Sequence, residues 1–249
     1  MGVARFLVLL VLVVAQAACQ PDPSPATIEL YQPGPVERIL FPEKRHTPPS
    51  TIRPRRHVPI PTGALETVSI KLSRGGCFGT CPIYKVELRG DGQAIYEGGC
   101  FTLVPGRRVY KVSPEAVAKL VERFRAADFW SLEPSYRAQI TDSPTYWVTL
   151  SIGGQTRTVE DYIGKSVGMP PEVAELEAAI DDAAGSPRWT IGDDRTITDL
   201  AAGGFQFKSA EGARMLALAR WQGRYELAQG LKARGAPEPS PNAGLICDR

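Results

Sequence analysis

Cys77-Phe78-Gly79-Thr80-Cys81-Pro82 stands between two runs of alternating residues, and its reading decides the fold. Upstream, Val68, Ile70 and Leu72 alternate with Ser69, Lys71 and Ser73; downstream, Tyr84, Val86 and Leu88 alternate with Lys85, Glu87 and Arg89. Successive side chains of a strand point to opposite faces, so a period of two marks a strand buried on one side only. The cysteine stretch is therefore a link between two strands. Gly90-Asp91-Gly92 then reverses the chain into a third strand at 93–97, because glycine beside aspartate accepts the positive backbone angles of tight hairpins. A fourth strand is expected at 107–112.

Helical signals follow. Ser113-Pro114-Glu115 offers a hydroxyl cap and a proline in the first turn, where its missing N–H costs nothing. Val117, Leu120, Val121, Phe124 and Ala127 then recur at helical spacing, giving one apolar face to lay on a sheet. A second hairpin comes next: Tyr146, Val148, Leu150 and Ile152 alternate up to Gly153-Gly154, and 156–162 return. Pro170-Pro171-Glu172 opens another helix, carrying Val173, Leu176, Ile180 and Ala183, and Gly185 stops it. The order ββββαββα predicts an α+β domain over 63–187, an antiparallel sheet covered by two helices.

The chain before this domain reads differently. Residues 1–18 hold an arginine near the start, an apolar run at 6–15 and small residues leading to Cys19, which is the pattern of a secretion signal. Ala15-Gln16-Ala17 fits one cleavage site. Ala17-Ala18-Cys19 resembles the lipobox of bacterial lipoproteins, with Gln16 where leucine is usual, and implies a lipid on Cys19; Gln20 then implies outer-membrane sorting. Residues 20–62 contain eleven of the 22 prolines and no apolar periodicity, so a disordered tether is expected, reaching roughly 35 Å as a coil or about 130 Å as polyproline. A net charge of +2 over 249 residues gives no reason to expect nucleic acid as a partner.

Export makes the other cysteines informative, since disulfides persist outside the cytoplasm. Cys77, Cys81, Cys100 and Cys247 allow three connectivities. A Cys77–Cys81 bridge closes a short loop worth roughly 2 kcal/mol and leaves Cys100 for Cys247, a closure worth about 5 kcal/mol. If Gly90-Asp91 is a two-residue turn, Cys81 and Cys100 lie opposite each other, and a cross-strand bridge is the rival.

Arg74-Gly75-Gly76-Cys77-Phe78-Gly79-Thr80-Cys81-Pro82-Ile83-Tyr84, followed by Gly90-Asp91-Gly92, Ser113-Pro114 and Thr141-Asp142-Ser143-Pro144, resembles an uncharacterised bacterial domain of unknown function found in exported proteins. The resemblance spans about 66–185 and implies a fold but no activity. In the 188–249 segment, Gly212, Leu216, Ala219, Gly223, Leu231 and Gly235-Ala236 stand at the spacings of one ankyrin repeat, and 200–204 resemble the end of another. Arg214-Met215-Leu216-Ala217 replaces the usual Thr-Pro-Leu-His. So short an array cannot bury its own core, and this helical hairpin has to pack on the main domain or a partner.

Three kinds of chemistry are open to these residues. Cys77 and Cys81 resemble the two-thiolate copper site of Sco-type chaperones, but the histidines, His46 and His57, both fall in the tether. Asp142 and Asp161 flank the second hairpin and offer a candidate acid pair for a hydrolase. Phe78, Tyr84, Tyr96, Trp147 and Tyr162 offer a candidate binding patch. The expected role is non-catalytic binding in the cell envelope, periplasm-facing and anchored to the membrane by lipid, or secreted. The partner would be a protein or wall component, and no cofactor, metal or catalytic residue is expected; thiol-redox or copper handling and hydrolysis are the alternatives.

Overall fold

Alternation becomes strand wherever the sequence shows it. A computed structural model of the protein describes residues 56–193 and 195–240. Strands β1 (Ser69–Arg74), β2 (Tyr84–Arg89), β3 (Gln93–Gly98) and β4 (Gly106–Lys111) precede helix α1 (Pro114–Ala126); β5 (Ser135–Arg137), β6 (Tyr146–Ile152) and β7 (Gln155–Tyr162) precede α2 (Pro171–Ala184). They form one seven-stranded sheet in the order β4-β3-β2-β1-β6-β7-β5, antiparallel throughout except where β5 runs parallel to β7. The α+β class is as expected, and β5 is additional. Three residues are too few to show a period. The strand is held by Ser135 Oγ and Arg137, both bonded to Glu160 at 2.6 Å, and it covers the flank of β7.

Both helices lie on one face of the sheet. Ser113 caps α1 by accepting the Ala116 N–H, and Val117, Leu120, Val121 and Phe124 are buried against Ile70, Leu72, Val86, Leu88, Leu150 and Ile152 in one core. Gly185 ends α2 in the left-handed conformation, at φ 61°. The other sheet face is polar. Thr149 meets Thr158, and Ser151 meets Thr156, at 2.8 Å, while Glu87 lies 2.9 Å from Arg89 and 3.7 Å from Lys71.

The first hairpin turns on three residues rather than two. Leu88 pairs with Ala94 and Tyr84 with Gly98, so Gly90, Asp91 and Gly92 form the turn, with Gly92 at φ 78° where a side chain would be strained. This register takes Cys100 out of direct opposition to Cys81. The rival cross-strand bridge gives way to Cys77–Cys81, whose Cα atoms are 5.7 Å apart.

The segment expected to be tether ends earlier than its composition suggests. His57 Nδ1 lies 2.8 Å from Asp128 Oδ1, and the Val58 N–H donates to Ser131 Oγ at 2.7 Å. Pro61 and Thr62 pack against Gly153 in the β6–β7 turn. Prolines lack amide donors, so this segment docks through its neighbours' polar groups rather than by strand pairing. The signal stretch, Cys19, His46, most of the tether and Cys247 lie outside the described residues.

Beyond α2 come α3 (Pro187–Thr190), α4 (Thr196–Ala202), α5 (Ala210–Trp221) and α6 (Tyr225–Ala233). Ser209 caps α5, and Gly223 at φ 71° turns the chain into α6. The pair packs on the main domain. Met215, Leu216, Ala219, Leu227 and Leu231 join the same buried core as the sheet. Arg214 reaches the β3–β4 connection, donating to the carbonyls of Thr102 (3.2 Å) and Leu103 (2.6 Å) while Glu211 holds its guanidinium at 2.7 Å. The Leu103 and Val104 N–H groups donate in turn to Thr190 and Trp189 carbonyls, each at 2.8 Å. Among the described residues, no helix is long and apolar enough to cross a membrane.

Candidate functional site

One end of the sheet gathers most of the residues singled out above. Arg74, at the end of β1, pairs with Tyr84 on one side and Tyr146 on the other, and Tyr146 pairs with Asp161 near the end of β7. Three connections leave this end: the cysteine loop, the 138–145 loop and the turn after β7. They are tied together. Gly75 N–H donates to Thr145 O at 2.8 Å, Phe78 N–H to Asp142 O at 3.4 Å and Ser143 N–H to Tyr162 Oη at 3.4 Å.

The disulfide clamps the loop that carries Phe78, whose side chain is 88% exposed. Trp147 stands on the polar face and is 37% exposed, with its ring lying over Gly75; a Cβ there would come within 3.3 Å of the indole, so the lack of a side chain lets the ring approach. Ile140, Ile163 and Val167, on the neighbouring connections, are also exposed. Ile163 has φ 53°, a left-handed conformation that β-branched residues avoid. The strain is local: the Asp161 carboxylate accepts the next N–H, of Gly164, at 2.6 Å, and Ser166 Oγ donates to the Ile163 carbonyl at 2.8 Å.

The other three members of the expected aromatic patch are buried. Tyr84 and Tyr96 lie on the helix side of their strands, stacked with ring centroids 6.3 Å apart. Tyr162 is covered by Arg137, whose guanidinium sits 4.4 Å from its ring. Only Phe78 and Trp147 of the five face solvent. Their strands' own alternation puts Tyr84 and Tyr96 on the side of Val86 and Ala94, which explains the difference.

The two candidate acids have separate partners. Asp142 is exposed and accepts from Thr141 Oγ at 2.9 Å, while Asp161 is half-buried and holds Gly164. The acid on which the Asp161 charge bears is Glu177 of α2. Sequence reading missed Glu177 and Asp181, although the spacing 173–177–180–184 places Glu177 within the buried stripe of α2.

Under the disulfide end, then, lies a polar network. Tyr84 Oη donates to Asp181 Oδ2 at 2.6 Å, and Ser186 Oγ donates to the other oxygen of the same carboxylate. Burial raises the Asp181 pKa, against the hydrogen bonds from Ser186 and Tyr84. Burial, with the charges of Asp161 and Asp181 behind it, pushes Glu177 up to about 8, so it keeps its proton at neutral pH. Burial also pushes the Tyr84 phenol up, and the Asp181 charge adds to it. Arg74 supplies the positive charge, its guanidinium 5.4 Å from the Tyr146 ring.

His57, whose ring meets Asp128, is placed by its chain neighbours Val58 and Pro61 beside Ser131 and the β6–β7 turn rather than at the cysteines. The second expected bridge has one end at Cys100, whose carbonyl accepts the Ile83 N–H at 2.9 Å, and the other at Cys247, outside the described residues.

No curated protein matches the chain. Residues 68–184, which take in the sheet, both covering helices, the cysteine loop and the buried acids, match the model of a family described as a domain of unknown function (DUF6438).

Proposed function

We propose that the protein is a non-catalytic binding protein of the bacterial cell envelope, exported, lipidated at Cys19, and presenting the disulfide end of its sheet to a protein or wall partner. The observation that carries this reading is Phe78: a large apolar side chain, 88% exposed, on a loop closed by its own disulfide. An exposed aromatic normally forfeits rotational freedom on binding; a loop already closed forfeits less, which is how aromatic anchors gain affinity. Trp147, Ile140 and Ile163 leave the same end and extend the apolar surface. The helix pair α5–α6 is read as a degenerate ankyrin-like repeat, with Arg214 taking over the locking role of the missing Thr-Pro-Leu-His. A second bridge, Cys100 to Cys247, would tie the tail to the sheet.

The test is photo-crosslinking in native envelopes with a reactive residue in place of Phe78, and a control at Thr156, beside the far turn in β7. A discrete adduct at 78, absent at 156 and lost when Trp147→Ala is added, is the expected result. Equal labelling at both positions would sink the reading. A Cys77–Cys81 bridge reduced by glutathione at envelope potentials would favour thiol-redox chemistry instead.

A further inference from the structure

Strand β4 stands at the end of the sheet order. The Val112 N–H donates to Gly92 O at 2.9 Å, so residue 112 turns its peptide groups toward β3. Peptide groups alternate along a strand, so 110, 108 and 106 face β3 as well, while Arg107, Val109 and Lys111 direct theirs away from the sheet. Among the described residues, none supplies a partner strand to that side.

The charge on this edge is of one dominant sign. On the polar face, Arg107 and Lys111 are 58% and 69% exposed, flanking an exposed Val109. Their acids stand off: Glu97 is 3.7 Å from Arg107 and Asp91 3.9 Å from Lys111, distances at which exposed pairs contribute little. On the helix face, Arg108 and Arg188 lie 5.1 and 4.7 Å from the Trp189 ring, with Arg188 also 5.0 Å from Tyr110. Asp199 answers Arg188 at 3.1 Å. Arg108 has no carboxylate partner among the described residues, and its buried Nε has no hydrogen-bond acceptor.

We propose that the β4 edge is a docking site for an extended acidic peptide of a partner protein, which adds a strand by exchanging backbone hydrogen bonds with Arg107, Val109 and Lys111. Backbone pairing supplies affinity, and alternate side chains supply specificity. The incoming strand places acid, apolar and acid residues against Arg107, Val109 and Lys111. A second copy of the chain fits poorly: antiparallel self-pairing about Val109 sets Arg107 against Lys111 twice, and like charges directly opposite destabilise a sheet. The site is remote in sequence from the cysteine loop, and its test leaves Phe78 untouched.

The probe is a synthetic peptide with glutamate, valine and glutamate at every second position and threonine between them, with lysines in place of the glutamates as control, added to the full chain. The acidic peptide is expected to bind, to slow amide exchange at 107, 109 and 111, and to weaken as salt is raised. Val109→Pro deletes an outward N–H without touching the bonds to β3, and should weaken binding about fivefold or more. Arg107→Glu with Lys111→Glu should reverse the preference to the lysine peptide. N-methylating the peptide on its sheet-facing amides should abolish binding, and on its outward amides should not, which keeps the test valid if Val109→Pro fails to fold. Equal binding of both peptides, binding indifferent to sheet-facing methylation, no binding at millimolar peptide, or a dimer of the free protein that Val109→Pro dissolves would each overturn the proposal.

Discussion

Helices α1 and α2 cover the same sheet face, and the contrast between them shows where this domain is rigid and where it is responsive. Helix α1 buries hydrocarbon: Val117, Leu120, Val121 and Phe124, with Phe124 edge-on to Phe129 at 4.7 Å. Helix α2 buries Val173, Leu176, Ile180 and also Glu177, with Asp181 bonded to Tyr84 one turn later. The first half of the core is indifferent to pH and the second is not. The polar half lies under the disulfide end, so the same helix that roofs the candidate site carries its titratable groups.

The contrast can be broken most forcefully at Phe124. Phe124→Ala should cost about 3–5 kcal/mol, by the same amount at pH 5 and pH 8, in denaturant titrations. Glu177→Gln should behave in the opposite manner. Folded Glu177 keeps its proton to about 8, whereas the unfolded chain releases it near the ordinary 4.5. Between those values the folded state holds more protons, so stability falls as pH rises. The glutamine variant cannot ionise, and its stability relative to the parent should rise by about 3–4 kcal/mol between pH 5 and pH 8. A flat difference would place Glu177 among ordinary surface acids.

Tyr84→Phe sharpens the comparison further. It removes a donor from a buried carboxylate and should cost about 1–2 kcal/mol, chiefly above the pH at which Asp181 ionises. Ser113→Ala tests the smallest difference, at the helix starts. The hydroxyl satisfies an orphan N–H of α1, so its loss should cost about 1 kcal/mol, whereas α2 begins at Pro170 with no side-chain cap to lose. Thermal melts at neutral pH read both.

Most of the fold was legible because the elements carry their own signals. Alternation named three strands and glycine turns pointed to their hairpin partners, while serine, proline and glycine marked the bounds of α1 and α2. What escaped depended on partners distant in sequence. Strand β5 exists only because β7 offers an unpaired side. The three-residue turn at 90–92 follows from a register that no local pattern distinguishes from a two-residue one. At the site, Trp147 was readable as exposed, since it stands on the polar side of its strand's alternation; Phe78 was named only as one of five aromatics, and Glu177 was hidden by its type. A glutamate inside a helical stripe looks like a neighbour of the core until the sheet opposite supplies Asp161 and its own helix, one turn on, supplies Asp181. Arg214 was visible only as a departure from a pattern; the carbonyls it serves are 111 and 112 residues away.

The docking of residues 57–62 has a directional consequence. These residues meet the sheet beside Gly153, and the hairpin turns at 90–92 and 153–154 share that pole, since Ser69 pairs with both Arg89 and Ser151. The cysteine loop leaves from the opposite pole. Were the leading segment anchored as proposed, tension through it would align β1 with the line of pull and turn Phe78 to the far side, away from the point of attachment.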